Sequence, residues 1–388
     1  MVAAFCVALA FPLVGMVLHI KTSTDEDIRG RERRSPHPKP DLAKLTSDPE
    51  TTLQSVQSYF NDRFGGRQPL ITRFIASDYA LFHELPTEDV LPGKDDWLYF
   101  KGGGMGDDPG LFQAKVPLTD DQMQAWCDML EQRRRWLAAR GVGYYVVLAP
   151  SKSSIYPQYL PAGFFSCGPT RTDQLIAYLK AHSKVKVVDV RPALREEAKR
   201  SLLLYEPHDA HWGARAAWIA YNAMVRAIRP DYPNLTPEPA DEFSLSWVKT
   251  ANELAHFAGL NLPAADVYQF NLKHSEHDIK QSYPDAGRLP GLGPAEVYAI
   301  ANPRLPRVLS FCDSFWDRMR LHLSIRCSLC AFVPGYSIGA FDPQYVVKMR
   351  PDFVIQEMVE SKLMYMTPPK DPKSIATPFP AAAENMRF

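Results

Sequence analysis

The chain has 388 residues, 46% of them hydrophobic and 23% charged, which is ordinary globular composition, sufficient for one large core or two modest ones, and excludes disorder of the whole chain. Lys+Arg and Asp+Glu each total 44, so there is no net field to hold a polyanion. With no zinc-finger, RNP or helix-turn-helix signature present, nucleic acid is excluded as the expected partner.

From Val2 to Ile20 the chain is uncharged and apolar apart from Pro12, Gly15 and His19, about the length needed to span a bilayer. The run predicts a membrane anchor over residues 1–20, with a removed signal peptide as the alternative. Lys21, Arg29, Arg31, Arg33 and Arg34 follow it, a bias that taken alone would keep the body of the protein in the cytosol. Residues 21–89 form a linker and N-terminal extension, the first part rich in charge and in proline (Pro36, Pro38, Pro40).

Residues 90–366 alternate helical and strand-like segments. Thr119 with Gln122 is a capping-box signal for a helix carrying Trp126, Leu130 and Leu137 and ending near Gly141. Tyr144–Ala149 reads as a buried strand, followed by a helix from about Thr170, a strand at Val185–Asp189, another helix, and a strand near Leu202–Tyr205. A helix from Ala214 to about Ile228 comes next. Residues 229–302 are proline-rich and aperiodic apart from a short helix around 251–258, and are expected to be an insertion. Strand Arg307–Cys312, a helix through Leu321, and strands Leu329–Val333 and Phe353–Ile355 complete the pattern. The tail, 367–388, is again rich in proline. Such alternation predicts an α/β fold with a doubly wound parallel sheet.

Two segments of this pattern carry chemistry. Ser314 follows an apolar strand and Asp313 and precedes a helical stretch, a turn at which a hydroxyl stands above the carboxyl edge of the sheet beside free main-chain N–H groups. An Asp-Ser pair there also serves as a plain helix cap. His208-Asp209-Ala210-His211-Trp212-Gly213 lies at another carboxyl edge, where Asp209 can orient His211 and stabilise its imidazolium. His208 with His211, and His274 with His277, have HxxH spacing, but both pairs fall in loops and no HExxH accompanies them. Neither a metal nor a cofactor is expected. Cys327-Ser-Leu-Cys330 lacks a second cysteine pair and reads as buried cysteines or a local disulfide. Lys152 and Tyr156, after the Tyr144 strand, are candidate substrate-binding residues; Trp97, Tyr99, Trp212 and Trp316 could stack on a sugar or fill the core.

An Asp-x-His-Trp motif upstream of Asp-Ser-Phe resembles the alginate O-acetyltransferases of the SGNH-hydrolase-like superfamily. The resemblance extends to VLPGKDDWLYF (90–100), LAPSKSSIYPQYLP (148–161), YFNDRFGGR (59–67) and RPDFVIQEMVE (350–360). It implies an SGNH-hydrolase-like fold with the catalytic motifs in permuted order, Asp and His before Ser, and a triad of Ser314 as nucleophile, His211 as base and Asp209 orienting it. Cys312 stands where SGNH proteins commonly have glycine, and no carbohydrate-binding module fits after Glu360, as in the shorter, membrane-anchored members.

What the resemblance implies is transfer of acetyl through a serine acyl-enzyme to hydroxyls of an extracytoplasmic polysaccharide, alginate or similar. The acetyl would come from a membrane-bound O-acyltransferase, and the chain would be anchored in the bacterial inner membrane with its catalytic domain in the periplasm. A carbohydrate acetylesterase and a non-catalytic assembly protein of the secretion machinery are the alternatives.

Overall fold

The computed structural model describes residues 2–31, 34–102, 106–200, 203–249, 252–262, 266–272, 280–281, 295–334 and 341–366. His274, His277 and the tail 367–388 lie outside them. The chain divides into two compact units, residues 1–92 with 252–263, and residues 93–251 with 264–388.

In the first unit the apolar N-terminal run forms a helix only over Val2–Val17. At about 1.5 Å per residue it falls short of a hydrocarbon core of about 30 Å. His19 and Lys21 adopt left-handed backbone conformations that end it. Gly15 packs so closely on Gly65 that a Cβ at Gly15 would stand 2.8 Å from the Gly65 Cα, and Gly65 N–H donates to the Pro12 carbonyl at 2.8 Å. Among the described residues no helix is long and apolar enough to cross a membrane, which overturns the single-pass anchor and the inner-membrane placement built on it. The segment that reads as linker and extension contains helices Asp25–Arg31, Pro49–Arg63 and Arg67–Phe82. Asp62, almost wholly buried, binds Arg34 and His37, and these contacts hold its carboxyl well below the usual range against the upward push of burial.

The second unit is built on a seven-stranded sheet. In chain order its strands are β1 (Gly143–Ala149), β2 (Lys186–Asp189), β3 (Lys280–Gln281), β4 (Glu296–Ala299), β5 (Arg307–Cys312), β6 (Leu329–Pro334) and β7 (Phe353–Val359). Their spatial order is β2-β1-β7-β5-β6-β4-β3. The first five are parallel, but β4 runs antiparallel to β6 and β3 antiparallel to β4. The fold is therefore α/β with a mixed sheet. The all-parallel expectation fails because the stretch expected to be an insertion returns two strands to the sheet edge, where an antiparallel partner needs no crossover helix. It also carries an antiparallel hairpin, Phe243–Lys249 with Asp266–Leu272.

The four longest helices in this unit are α1 (Asp120–Ala138), α2 (Arg171–His182), α3 (Arg191–Ala198) and α4 (Ala214–Ile228). Thr119 and Gln122 form the reciprocal capping box of α1, and Thr170 with Asp173 repeats it on α2. α1 lays Trp126, Leu130 and Leu137 against Val146, Leu148 and Val354 of the sheet. Leu130 is fully buried, so Leu130→Ala should cost about 2–5 kcal/mol in urea unfolding, with the slope unchanged. β7, buried along its whole length, is the middle of the five parallel strands. The expected strand near Leu202–Tyr205 is reduced to a single antiparallel bridge between Tyr205 and Trp212, because the chain doubles back on itself there.

Candidate active site

The ends of β1, β5 and β7 build one half of the site. β5 and β7 pair in register only as far as Phe311 and Gln356, and beyond that point side chains replace the ladder. The Glu357 carboxyl accepts the Asp313 N–H at 3.0 Å, and Asp313 Oδ2 accepts Val359 N–H at 2.9 Å and the Lys362 ammonium at 2.7 Å. Asp313 Oδ1 accepts Phe315 N–H at 2.9 Å and so caps a short turn, Ser314–Arg318. Trp316 N–H goes to the Asp313 carbonyl. Ser314 N–H is not used in this way, and Ser314 is exposed at the tip of the turn. Burial pushes the Glu357 carboxyl well above its usual range, and the neighbouring Asp313 charge adds to the shift.

The other half is a loop, residues 204–213, entering α4. Gly213 N–H donates to the Leu204 carbonyl at 2.7 Å beside the Tyr205–Trp212 bridge, so the loop is closed at its neck. Tyr205 Oη donates to the Pro150 carbonyl at 2.6 Å, and Trp212 Nε1 donates to the Phe315 carbonyl at 2.7 Å. That second bond ties the loop to the Ser314 turn. Trp212→Phe keeps the ring but leaves a buried carbonyl without its donor, and should cost about 1–3 kcal/mol in thermal unfolding while slowing any chemistry that needs both halves in register.

Across this junction His211 Nε2 lies 2.8 Å from Ser314 Oγ, and Nδ1 lies 2.9 Å from Asp209 Oδ1. Asp209 Oδ1 also accepts the His211 main-chain N–H at 2.9 Å. Burial by itself would raise the Asp209 pKa, but the hydrogen bonds and charge of His211, with Lys152 behind them, lower it below the usual carboxylate value. An ionised carboxylate only accepts, so the Nδ1 proton belongs to the imidazole and Nε2 presents its lone pair to the serine hydroxyl. Both ring nitrogens of His211 are thereby engaged. Cys312, one residue before Asp313, is buried with its thiol pushed well up, first by desolvation and then by Glu357 and Asp313, so it offers no competing thiolate. Cys327 and Cys330 are buried free thiols.

Lys152 and Tyr156 lie under the loop rather than facing an acceptor. Lys152 is fully buried and donates to the carbonyls of Glu206 (3.0 Å), Pro207 (3.0 Å) and Asp209 (2.6 Å). Tyr156, 3% exposed, accepts Leu204 N–H on its hydroxyl at 3.0 Å. Their place at the carboxyl edge was legible in the sequence; their burial depends on a loop some fifty residues downstream. Trp97, Tyr99, Trp212 and Trp316 are all core residues here, so none offers a free face to a sugar. The Asp313–Glu357–Lys362 buttress escaped sequence reasoning, and only the acidic and basic residues at the end of the last strand hinted at it.

Residues 90–298 match the family described as an SGNH hydrolase-like domain, acetyltransferase AlgX. AlgJ of Pseudomonas fluorescens, a probable alginate O-acetylase, is 24% identical over 193 residues, which are 48% of this chain and 44% of that protein. The match thus spans less than half of that relative's length. The solved structure of Bacillus cereus PatB1 is similar with a TM-score of 0.53 and 15% identity, covering 72% of this chain and 99% of its own. The same protein with a sulfonyl adduct gives a TM-score of 0.51 at 15% identity, covering 71% and 97%. Identities this low carry the fold alone.

Proposed function

The chain belongs to the alginate O-acetylase family of SGNH hydrolase-like, AlgX-type acetyltransferase domains, and on that footing we propose that it is a polysaccharide O-acetyltransferase that carries acetyl on Ser314. One observation supports this above the rest: the unbroken hydrogen-bonded line from Asp209 through His211 to an exposed serine hydroxyl.

His211 Nε2 takes the hydroxyl proton as Ser314 Oγ attacks the acetyl carbonyl carbon, and Asp209 stabilises the imidazolium so formed. The negative charge that develops on the carbonyl oxygen meets the Ser314 N–H, which the capping of Phe315 and Trp316 by Asp313 leaves available. Collapse breaks the bond to the donor's oxygen, which leaves with the proton from Nε2, and acetyl-Ser314 remains. A sugar hydroxyl then repeats the sequence in reverse: its proton passes to Nε2, its oxygen attacks, and Ser314 recovers the proton as the acetylated sugar departs. The acceptor on this reading is alginate or a similar exopolysaccharide, and a membrane-bound O-acyltransferase supplies the acetyl group.

Incubating the full chain with an activated acetyl ester and a non-acetylated oligouronate tests the proposal by mass spectrometry. The expected result is acetyl on Ser314 and then on the sugar. Free acetate with no acetylated sugar would make the protein an esterase, and a wild type that never gains acetyl on Ser314 would leave a non-catalytic binding role.

A further inference from the structure

We propose that Lys152 is a positioning residue for the acyl-transfer site: its ammonium gathers three main-chain carbonyls of the 204–213 loop and so sets Asp209 and His211 against Ser314. This rests on the function proposed above. Lys152 opens a short helix, Lys152–Ile155, directly beyond β1, and its side chain is fully buried. The carbonyls of Glu206, Pro207 and Asp209 converge on Nζ at 3.0, 3.0 and 2.6 Å. The rings of Trp97 and Tyr99 stand 5.5 and 5.4 Å from Nζ and close the cage.

Three converging acceptors require three donors. An ammonium has three N–H groups and a neutral amine two, so the site is built for the charged form. Burial pulls the pKa of the Lys152 ammonium down to about 7, and the carboxyls of Asp108, Asp209 and Glu206, with three charge-assisted hydrogen bonds and the aromatic faces, work against that fall. Asp108 is itself held beneath the lysine by accepting Ser153 N–H at 3.0 Å. Carbonyl dipoles that point at one another repel, so without a cation among them residues 206–209 cannot keep this turn. Two residues further on lies the imidazole. The Pro207 carbonyl has a second donor, Leu98 N–H at 2.9 Å, and the Glu206 carbonyl also accepts the Asp209 N–H at 3.3 Å.

The test compares the full-length wild type with Lys152→Met, which fills similar volume without charge. For acetyl-ester turnover, kcat should fall about 100-fold and KM stay within about twofold, as expected when a catalytic group is misplaced and substrate contacts are kept. Independently of turnover, the low-field proton resonance of His211 Nδ1, identified by its loss in His211→Gln, should vanish or shift in Lys152→Met while the circular dichroism is unchanged. A Lys152→Met protein with wild-type kcat and an unmoved resonance overturns the proposal. If Lys152→Met does not fold, Lys152→Ala is compared in ethylammonium and in ethanol. Recovery of fold and resonance by the cation alone supports the role, and equal recovery by both, or by neither, overturns it. A wild type that never acetylates Ser314 refutes acyl transfer, and the resonance still decides what Lys152 does.

Discussion

Ser314→Ala should abolish acetyl-enzyme formation and lower turnover of an activated acetyl ester by at least about 10⁴-fold, while leaving the melting temperature within a degree or two of wild type. The first expectation follows because removal of a nucleophile that works with its base as a unit leaves only binding and oxyanion contacts to accelerate the reaction. The second follows from the place of Ser314. It is exposed at the tip of its turn, and the turn is held by Asp313, whose two carboxylate oxygens bind Phe315 N–H, Val359 N–H and Lys362. None of these bonds involves the Ser314 hydroxyl. Intact-protein mass spectrometry after rapid mixing checks the first expectation and calorimetry the second. Persistent acetylation of the Ala variant at another residue would remove Ser314 from the mechanism.

The two halves of this site differ in how far the sequence discloses them. Ser314 sits where a buried strand meets a turn, and the Asp209–His211 pair lies within three residues, so both could be located from local pattern alone. Local chemistry likewise marks the helix starts, since a capping box such as Thr119 with Gln122 is closed within four residues. What the sequence hides is longer in range. Leu204 and Tyr205 read as a strand because they are apolar, yet their burial comes from a loop closed on itself, with Tyr205 bonded to Pro150 and Gly213 to Leu204. The edge strands β3 and β4 come from a proline-rich stretch whose pairing depends on β6, not on its own periodicity. At the N-terminus, hydropathy counts apolar residues through Ile20 but is blind to the left-handed turns at His19 and Lys21 that stop the helix.

The buried ionisable groups around the site have a common logic. Lys152, Asp313, Glu357 and Lys362 are all removed from water or nearly so, and the hydrogen bonds described for them run mainly to main-chain groups at strand ends. Parallel strands splay where they leave the sheet, and the amide groups released there must be satisfied. Side chains that do this fix the two loops that meet at Ser314, at the expense of burying charge. Stability and reactivity are therefore linked through the same few residues.

That link makes Asp209→Asn the second large effect. Asp209 Oδ1 accepts both the main-chain N–H and the Nδ1–H of His211, a pairing open only to an acceptor. An asparagine with its carbonyl oxygen in the Oδ1 place keeps both bonds but brings no negative charge to stabilise the imidazolium, and one turned over points its NH₂ at two donors and draws the imidazole proton to Nε2, the nitrogen that faces Ser314 Oγ. Either way the base is weakened, and acylation at neutral pH should slow by about 10⁴-fold, as for other triads whose orienting carboxylate is replaced by amide. Stability should change with a definite pH sign. The folded pKa of Asp209 lies below that of the unfolded chain, about 3.9. The carboxylate's contribution is therefore fully present above that value and is lost as pH falls through the folded one. Neutralising Asp209 also removes one of the carboxylates that balance buried Lys152. The stability gap between wild type and Asp209→Asn should be widest near neutrality and close in acid, which urea unfolding at a series of pH values would measure. An Asn variant that acylates within tenfold of wild type would place the orienting role elsewhere, and a gap that widens in acid would reverse the assigned ionisation.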